Sequence, residues 1–186
     1  MVNQNNNLAV LIMIGGQSSR MGGGIKSFIK FNNRSIFDRI FDNINHQTNQ
    51  IIINCNDQHK KIKEYNLPIV NDLKVGFLGP LAGIHAGMHW LINNKPEIKW
   101  LITIPGDTPF IPKNIISKFK EKLSPKIKII LTKSNDNIHP IIGAWHTSLF
   151  NDLEDNLNKG TRKILKWTEN YPLDYLKYSI NDYDPF

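Results

Sequence analysis

Cysteine is nearly absent: Cys55 is the only one in 186 residues. A single thiol forms no intramolecular disulfide and argues against a cysteine-based zinc site. Inside "IIINCN" it reads as a small strand residue rather than a nucleophile. Long hydrophobic runs are missing too, since none approaches the roughly 18 residues that cross a bilayer. "MVNQNNN" carries no basic region ahead of the apolar "LAVLIM", as a secretory leader would. These absences point to a cytoplasmic protein with no membrane partner. There is no internal repeat, no convincing linker and no low-complexity tract beyond the Asn-rich start, so one domain over 1–186 is expected. The net charge is +7, which alone could signal a polyanion. The cations are scattered, however. "KKIK" at 60–63 and "KFKEK" at 118–122 read as solvated helix faces, and the abundance of Asn, Ile and Lys matches AT-rich coding. No nucleic-acid partner is expected.

What is present is a globular composition, 40% hydrophobic and 21% charged, in a chain long enough to bury roughly two-thirds of its unfolded surface. Apolar runs without polar alternation recur at "LAVLIMI" (8–14), "IIIN" (51–54), "WLITI" (100–104) and "KIIL" (128–131), as expected of strands covered on both faces. Helical patterns lie between them. Ser35 is a good N-cap for a helix with Ile36, Phe37, Ile40, Phe41 and Ile44 on one stripe. Pro80 suits a first helical position ahead of Leu81, Ile84, Met88 and Leu91. Pro112 is placed to open a third helix carrying Ile115, Ile116, Phe119 and Leu123 inward. "PIIGAW" (140–145) reads as a strand, and "TSLFNDLEDNL" and "TRKILKWTE" as helices. The alternation predicts an α/β domain with a mainly parallel sheet.

Three stretches could carry chemistry. "IGGQSSRMGGGIKS" (14–27) follows the first strand. It fails the Walker A pattern because Ile25 precedes Lys26, and it fails G-x-G-x-x-G because the third glycine falls on Ser27. Its backbone N–H groups, with Arg20 and Lys26, still suit phosphate oxygens; the alternative is a surface turn. In "LITIPGDTPFIP" (101–112) a buried strand delivers Asp107 into a proline-stiffened turn, where ligands bind in open α/β sheets. A lone carboxylate with substrate phosphates is a common way to hold Mg²⁺, although an Asx-turn or N-cap role fits equally. In "IVNDLKVGFLGPLAGIHAG" (69–87) Asp72 follows a short strand, and Gly83 and Gly87 permit close approach by a ligand or by the sheet. His85 and His89 lack the Glu of a metalloprotease helix and read as partly exposed helix histidines.

Together these stretches resemble the molybdenum cofactor guanylyltransferases, a nucleotidyltransferase branch. The resemblance rests on "MIGGQSSRMGGGIK", "NCN" (Asn54 to Asn56), "ND" (71–72), "GPLAG" (79–83), "GDTPFIP", His139-Pro140 and "GTRK" (160–163), in the family order over essentially the whole chain. It implies a single Rossmann-like three-layer domain of the nucleotide-diphospho-sugar transferase type. A nucleotide-binding half would span about 8–110, and an acceptor half about 111–186. It implies transfer of GMP from GTP to molybdopterin with release of pyrophosphate, Mg²⁺ as cofactor, and acceptor molybdoenzymes or their chaperones as further partners. Residue by residue, Met13, Ile14, Gly15 and Gly16 would wrap the nucleotide. Arg20 and Lys26 would lie at its phosphates, Asn54 and Asp72 would hold the guanine and ribose end, and Asp107 would bind Mg²⁺. His139, Arg162 and Lys163 would face the acceptor. A cytidylyltransferase for the same cofactor, a sugar-phosphate nucleotidyltransferase and a non-catalytic GTP binder share parts of the pattern. Three departures stand out: Ile25 replaces a frequent Asp, "MIGG" replaces L-A-G-G, and the chain reaches "DYDPF" about where the family's N-x-N-T-P strand should begin.

Overall fold

Continuous apolar runs fold as buried parallel strands because both of their faces can be covered by helices. The computed structural model describes residues 7–15, 26–57, 60–74, 76, 79–180 and 184–186. Along the chain come β1 (Leu8–Ile14), a two-stranded hairpin of β2 (Lys30–Phe31) and β3 (Arg34–Ser35), α1 (Ile36–Asn45), β4 (Ile51–Cys55), α2 (Lys60–Lys63) and β5 (Ile69–Val70). They are followed by α3 (Pro80–Asn94), β6 (Trp100–Pro105), α4 (Ile115–Lys122), β7 (Ile129–Ser134), β8 (Asn137–His146), α5 (Phe150–Asn158), α6 (Ile164–Thr168) and β9 (Leu173–Tyr178).

Seven strands form one sheet in the order β5-β4-β1-β6-β8-β7-β9. β4 and β6 pair parallel to β1, β5 pairs parallel to β4, and β9 pairs parallel to β7. Among the described strands of this sheet, β8 alone runs the other way, antiparallel to both β6 and β7. The expected mainly parallel α/β sheet is therefore present. The two-residue period of a strand assigns each face its own layer. Leu8, Val10, Ile12 and Ile14 join Phe37, Ile40, Ile44, Ile62, Ile115, Ile116 and Phe119 from α1, α2 and α4 in one core. Ala9 and Leu11 join Leu81, Ile84, Met88, Leu153, Leu157, Ile164 and Trp167 from α3, α5 and α6 in the other. The result is helices, sheet, helices.

Local chemistry explains the starts. Ser35 caps α1 in a capping box: Asp38 N donates to Ser35 Oγ at 3.0 Å, and Ser35 N donates to Asp38 Oδ2 at 2.7 Å. Pro80 opens α3 behind Gly79, whose φ is +72°. Pro112 does not open α4: Ile115 N donates to Pro112 O in a preceding turn, and the helix begins at Ile115. α6 likewise starts at Ile164, later than "TRKILKWTE" implies. β9 has no counterpart in the sequence reading, because "LDYLKY" is short and its alternation is weak. No helix among the described residues is long and apolar enough to cross a membrane.

Candidate active site

Parallel strands bring their carboxyl ends to one rim, and register decides which residues stand side by side there. Met13 is the partner of Asn54 on β4 and of Pro105 on β6, and Asn54 is in turn the partner of Val70 on β5. Two residues beyond that row, the chains leaving the sheet carry Gly15, Asn56, Asp72 and Asp107. β1 sends the chain to β4 on one side and is flanked by β6 on the other, which is the switch point where open α/β sheets bind ligands. Met13, Gly15, Asn54, Asp72 and Asp107 thus converge on one rim, with Ile14 turned to the opposite face, where it is buried. Gly16 and Arg20 lie outside the described residues.

Asp72 is held by amides. Asn54 Nδ2 donates to Asp72 Oδ1 at 3.0 Å and lies 3.3 Å from Val70 O. Asn56 Nδ2 donates to Asp72 Oδ2 at 2.9 Å, and Asp72 N donates back to Asn56 Oδ1 at 2.8 Å. Asn71 Nδ2 donates to Cys55 O at 2.7 Å, tying the two strand ends again. The sequence reading did not assign Asn56. Its signal is the period-two spacing in "NCN", which puts both amides on one side of the strand end. Cys55 between them faces the other core, and its thiol donates to Asp57 O at 3.1 Å. Burial pushes that thiol above its ordinary pKa, so it is a poor nucleophile.

Asp107 and Lys26 flank a tight contact. Gly106 N donates to Met13 O at 2.8 Å. A Cβ on Gly106 would stand 2.8 Å from Ser27 Oγ and 3.0 Å from Met13 O. The 26–28 turn is therefore pressed against the β6 exit, with Ser27 buried and both Lys26 and Asp107 exposed to solvent. No group of three or more His, Cys, Asp or Glu side chains is placed to hold a metal ion among the described residues. A metal at Asp107 would need ligand phosphates and water to complete its shell, the arrangement that suits Mg²⁺.

The amino end of α3 closes the rim. A Cβ on Gly83 would come 2.5 Å from Asn54 Oδ1 and 2.6 Å from Met13 Cε, so the first turn of α3 lies directly over these two residues. Among the described residues no side chain caps this end, and Ala82 N donates to Gly79 O at 3.1 Å. Gly87, one turn on, meets Leu11 and Leu101 instead. Of the two uses envisaged for these glycines, Gly87 serves sheet packing alone.

The three residues assigned to the acceptor separate. Arg162 O lies 3.6 Å from where a Cβ on Gly79 would be, beside the start of α3. Its guanidinium is occupied, donating to Leu157 O and Thr161 O at 2.9 Å each behind α5. Lys163 is the exposed N-cap of α6. His139 lies near the start of β8, with Nε2 2.5 Å from Ser134 Oγ, which also donates to Asp184 Oδ2 at 2.7 Å. His85 differs from expectation. It is 1% exposed, stacked on Phe150 with ring centroids 4.6 Å apart. The reason is that α5 covers the face of α3 that its polar residues leave toward solvent in the sequence pattern.

A family model, the MobA-like NTP transferase domain, matches residues 10–172. The molybdenum cofactor guanylyltransferase of Nitrobacter hamburgensis is 32% identical over 178 residues, which cover 95% of this chain and 85% of the relative. The crystal structure of molybdopterin-guanine dinucleotide biosynthesis protein A from Archaeoglobus fulgidus superimposes with a TM-score of 0.70 at 22% identity, covering 91% of this chain and 83% of that one. A Mycobacterium tuberculosis protein solved in complex with manganese shares the fold at a TM-score of 0.64 and 13% identity, covering 94% and 90%. The rim, the family match and the fold agree: the chain belongs to the MobA-like NTP transferases, among the molybdenum cofactor guanylyltransferases, and is a nucleotidyltransferase.

Proposed function

We propose that this nucleotidyltransferase moves GMP from GTP to molybdopterin, forming the guanine dinucleotide cofactor and pyrophosphate. The observation that carries the reading is the convergence, on one rim, of the β1 exit, the amide-held Asp72 and the exposed Asp107, with the first turn of α3 laid over Met13 and Asn54. In this reading a phosphate oxygen of molybdopterin attacks the α-phosphorus of GTP, and the bond to the β-phosphate oxygen breaks. Such a transfer asks chiefly for positioning and charge neutralisation. The backbone at Met13, Ile14, Gly15 and Gly16 wraps the nucleotide, and Lys26 and Arg20 hold its phosphates. Asn54 and Asp72 hold its nucleoside end. Asp107 holds Mg²⁺, which when bound neutralises phosphate charge. The later half of the chain receives the acceptor. Arg162, whose carbonyl lies beside the start of α3, Lys163 next to it and His139 on β8 are assigned to the acceptor.

GTP with Mg²⁺ at a hundredfold excess over Kd stabilises the fold by about 2.7 kcal/mol, a rise of roughly 5–10 °C in Tm for a domain of this size. CTP does markedly less. An equal shift with CTP would assign a cytidylyltransferase instead. Supplied with molybdopterin, the protein releases pyrophosphate from GTP, and Asp107→Ala slows that release by about 10²-fold or more. Release with sugar phosphates and not with molybdopterin would redirect the acceptor, and binding of GTP without any release would leave a nucleotide binder.

A further inference from the structure

We infer that Asn56 is a positioning residue, which locks the Asp72 carboxylate into a two-point acceptor for a paired donor edge of the nucleotide. The inference rests on the GTP reading above and deepens it.

The geometry is a closed ring between two strand exits. Asn56 accepts from the Asp72 backbone N–H and donates to the same residue's Oδ2, so one amide group fixes both the main chain and the carboxylate plane. Asn54 donates to the other oxygen, Oδ1, from the buried side. Each carboxylate oxygen thereby holds one amide donor and keeps a further lone pair. An ionised carboxylate with both oxygens oriented in this way matches a ligand that offers two neighbouring donors, and hydrogen bonds to a charged acceptor are about twice as strong as neutral ones. Asn71 secures the frame by donating to Cys55 O, so the two loops cannot separate without breaking it. Without Asn56, Asp72 keeps its charge and its Asn54 contact but loses the constraint on its main chain and its outer oxygen.

Two parts of GTP present paired donors: the guanine N1–H with its 2-amino group, and the ribose 2′- and 3′-hydroxyls. The shared chemistry is the same, and the two sources can be told apart with ITP, which lacks the 2-amino group, and 2′-deoxy-GTP, which lacks one hydroxyl.

The test is calorimetric titration of the full chain with GTP, ITP and 2′-deoxy-GTP in Mg²⁺, for the wild type, Asn56→Ala and Asn56→Asp. Asn56→Ala weakens GTP binding about tenfold, the scale of one hydrogen bond to a charged group, and the loss in turnover falls on KM for GTP more than on kcat. The wild type's preference for GTP over one of the two analogues shrinks in the same variant, and which preference shrinks names the donor edge. Asn56→Asp still accepts from the Asp72 N–H but sets a like charge against Oδ2, and it binds more weakly than Asn56→Ala. Tm without nucleotide stays close to wild type in both, since Asn56 is exposed. Wild-type affinity in either variant overturns the inference, as does weaker binding with both preferences intact. Failure of the wild type to bind GTP at all overturns the reading beneath it, and the two failures are distinct.

Discussion

His85 shows how much one side chain depends on what covers it. Its Nε2 is buried without a hydrogen-bond partner among the described residues and lies 3.6 Å from Glu154 Oε1. Burial lowers its pKa below the ordinary 6.5. Glu154 pulls the other way, but its side chain is 43% exposed and water weakens its field, so burial prevails. A histidine whose folded pKa is depressed binds protons more readily when unfolded. Its contribution is therefore present above pH 6.5 and is lost as the pH falls below it, at no more than about 1.4 kcal/mol per pH unit. His146 shifts the same way, through burial and then Lys128 and Lys99. Urea unfolding at pH 7.5 and 5.5 tests this directly. Stability drops over that interval in the wild type, and His85→Phe, which keeps the stack on Phe150, drops less. An unchanged pH slope in the variant would rule out His85 as a source of the dependence.

At the level of elements, α3 does two jobs with two glycines one turn apart. Gly83 lets the helix lie on Asn54 and Met13, whereas Gly87 lets it lie on Leu11 and Leu101. Gly83→Ala forces a methyl to within 2.5 Å of an amide oxygen whose partner nitrogen is committed to Asp72. Gly87→Ala presses on leucine methyls at 2.8 Å. Overpacking of this kind costs about 1–3 kcal/mol, so both substitutions lower Tm. Gly83→Ala also weakens GTP binding at temperatures where the protein stays folded, and Gly87→Ala does not. Equal nucleotide affinity in the two variants would detach α3 from the site. "GPLAG" was legible as a helix start from Pro80 alone. Which glycine served the site was not, because that depends on contacts with β1, β4 and β6, which lie well outside the helix in the chain.

For the whole molecule, the sheet order places the proposed site at one end of a molecule with two unlike edges. β5, β4, β1 and β6 adjoin in parallel, while β9 closes the far edge under α4, where Lys122 Nζ donates to Asp174 Oδ2 at 2.8 Å. Ligand at the rim slows exchange chiefly where it restricts local opening. GTP with Mg²⁺ therefore slows amide hydrogen exchange at the exits of β1, β4, β5 and β6 and in the first turn of α3, and leaves α4 and β9 as they were. Protection confined to α4 and β9 would move the ligand to the other edge.

Much of this protein is written in short-range pattern. The unbroken apolar runs dictate buried strands, Ser35 and Pro80 dictate helix starts, and the order of "NCN", "GPLAG" and "GDTPFIP" announces the family, because each signal acts within a few residues of itself. β9 and the true starts of α4 and α6 escaped, since their local signals are weak and neighbours decide them. Tertiary structure alone decided that Asn56 grips Asp72, that Ser27 seats against Gly106 beside Asp107, that Arg162 O lies beside the start of α3 while its guanidinium is spent on Leu157 O and Thr161 O, and that His85 is buried. Apart from the Arg162 guanidinium contacts, which are local in the chain, these contacts join residues distant in the chain. Their closeness is set by strand register and helix packing, which no single segment encodes.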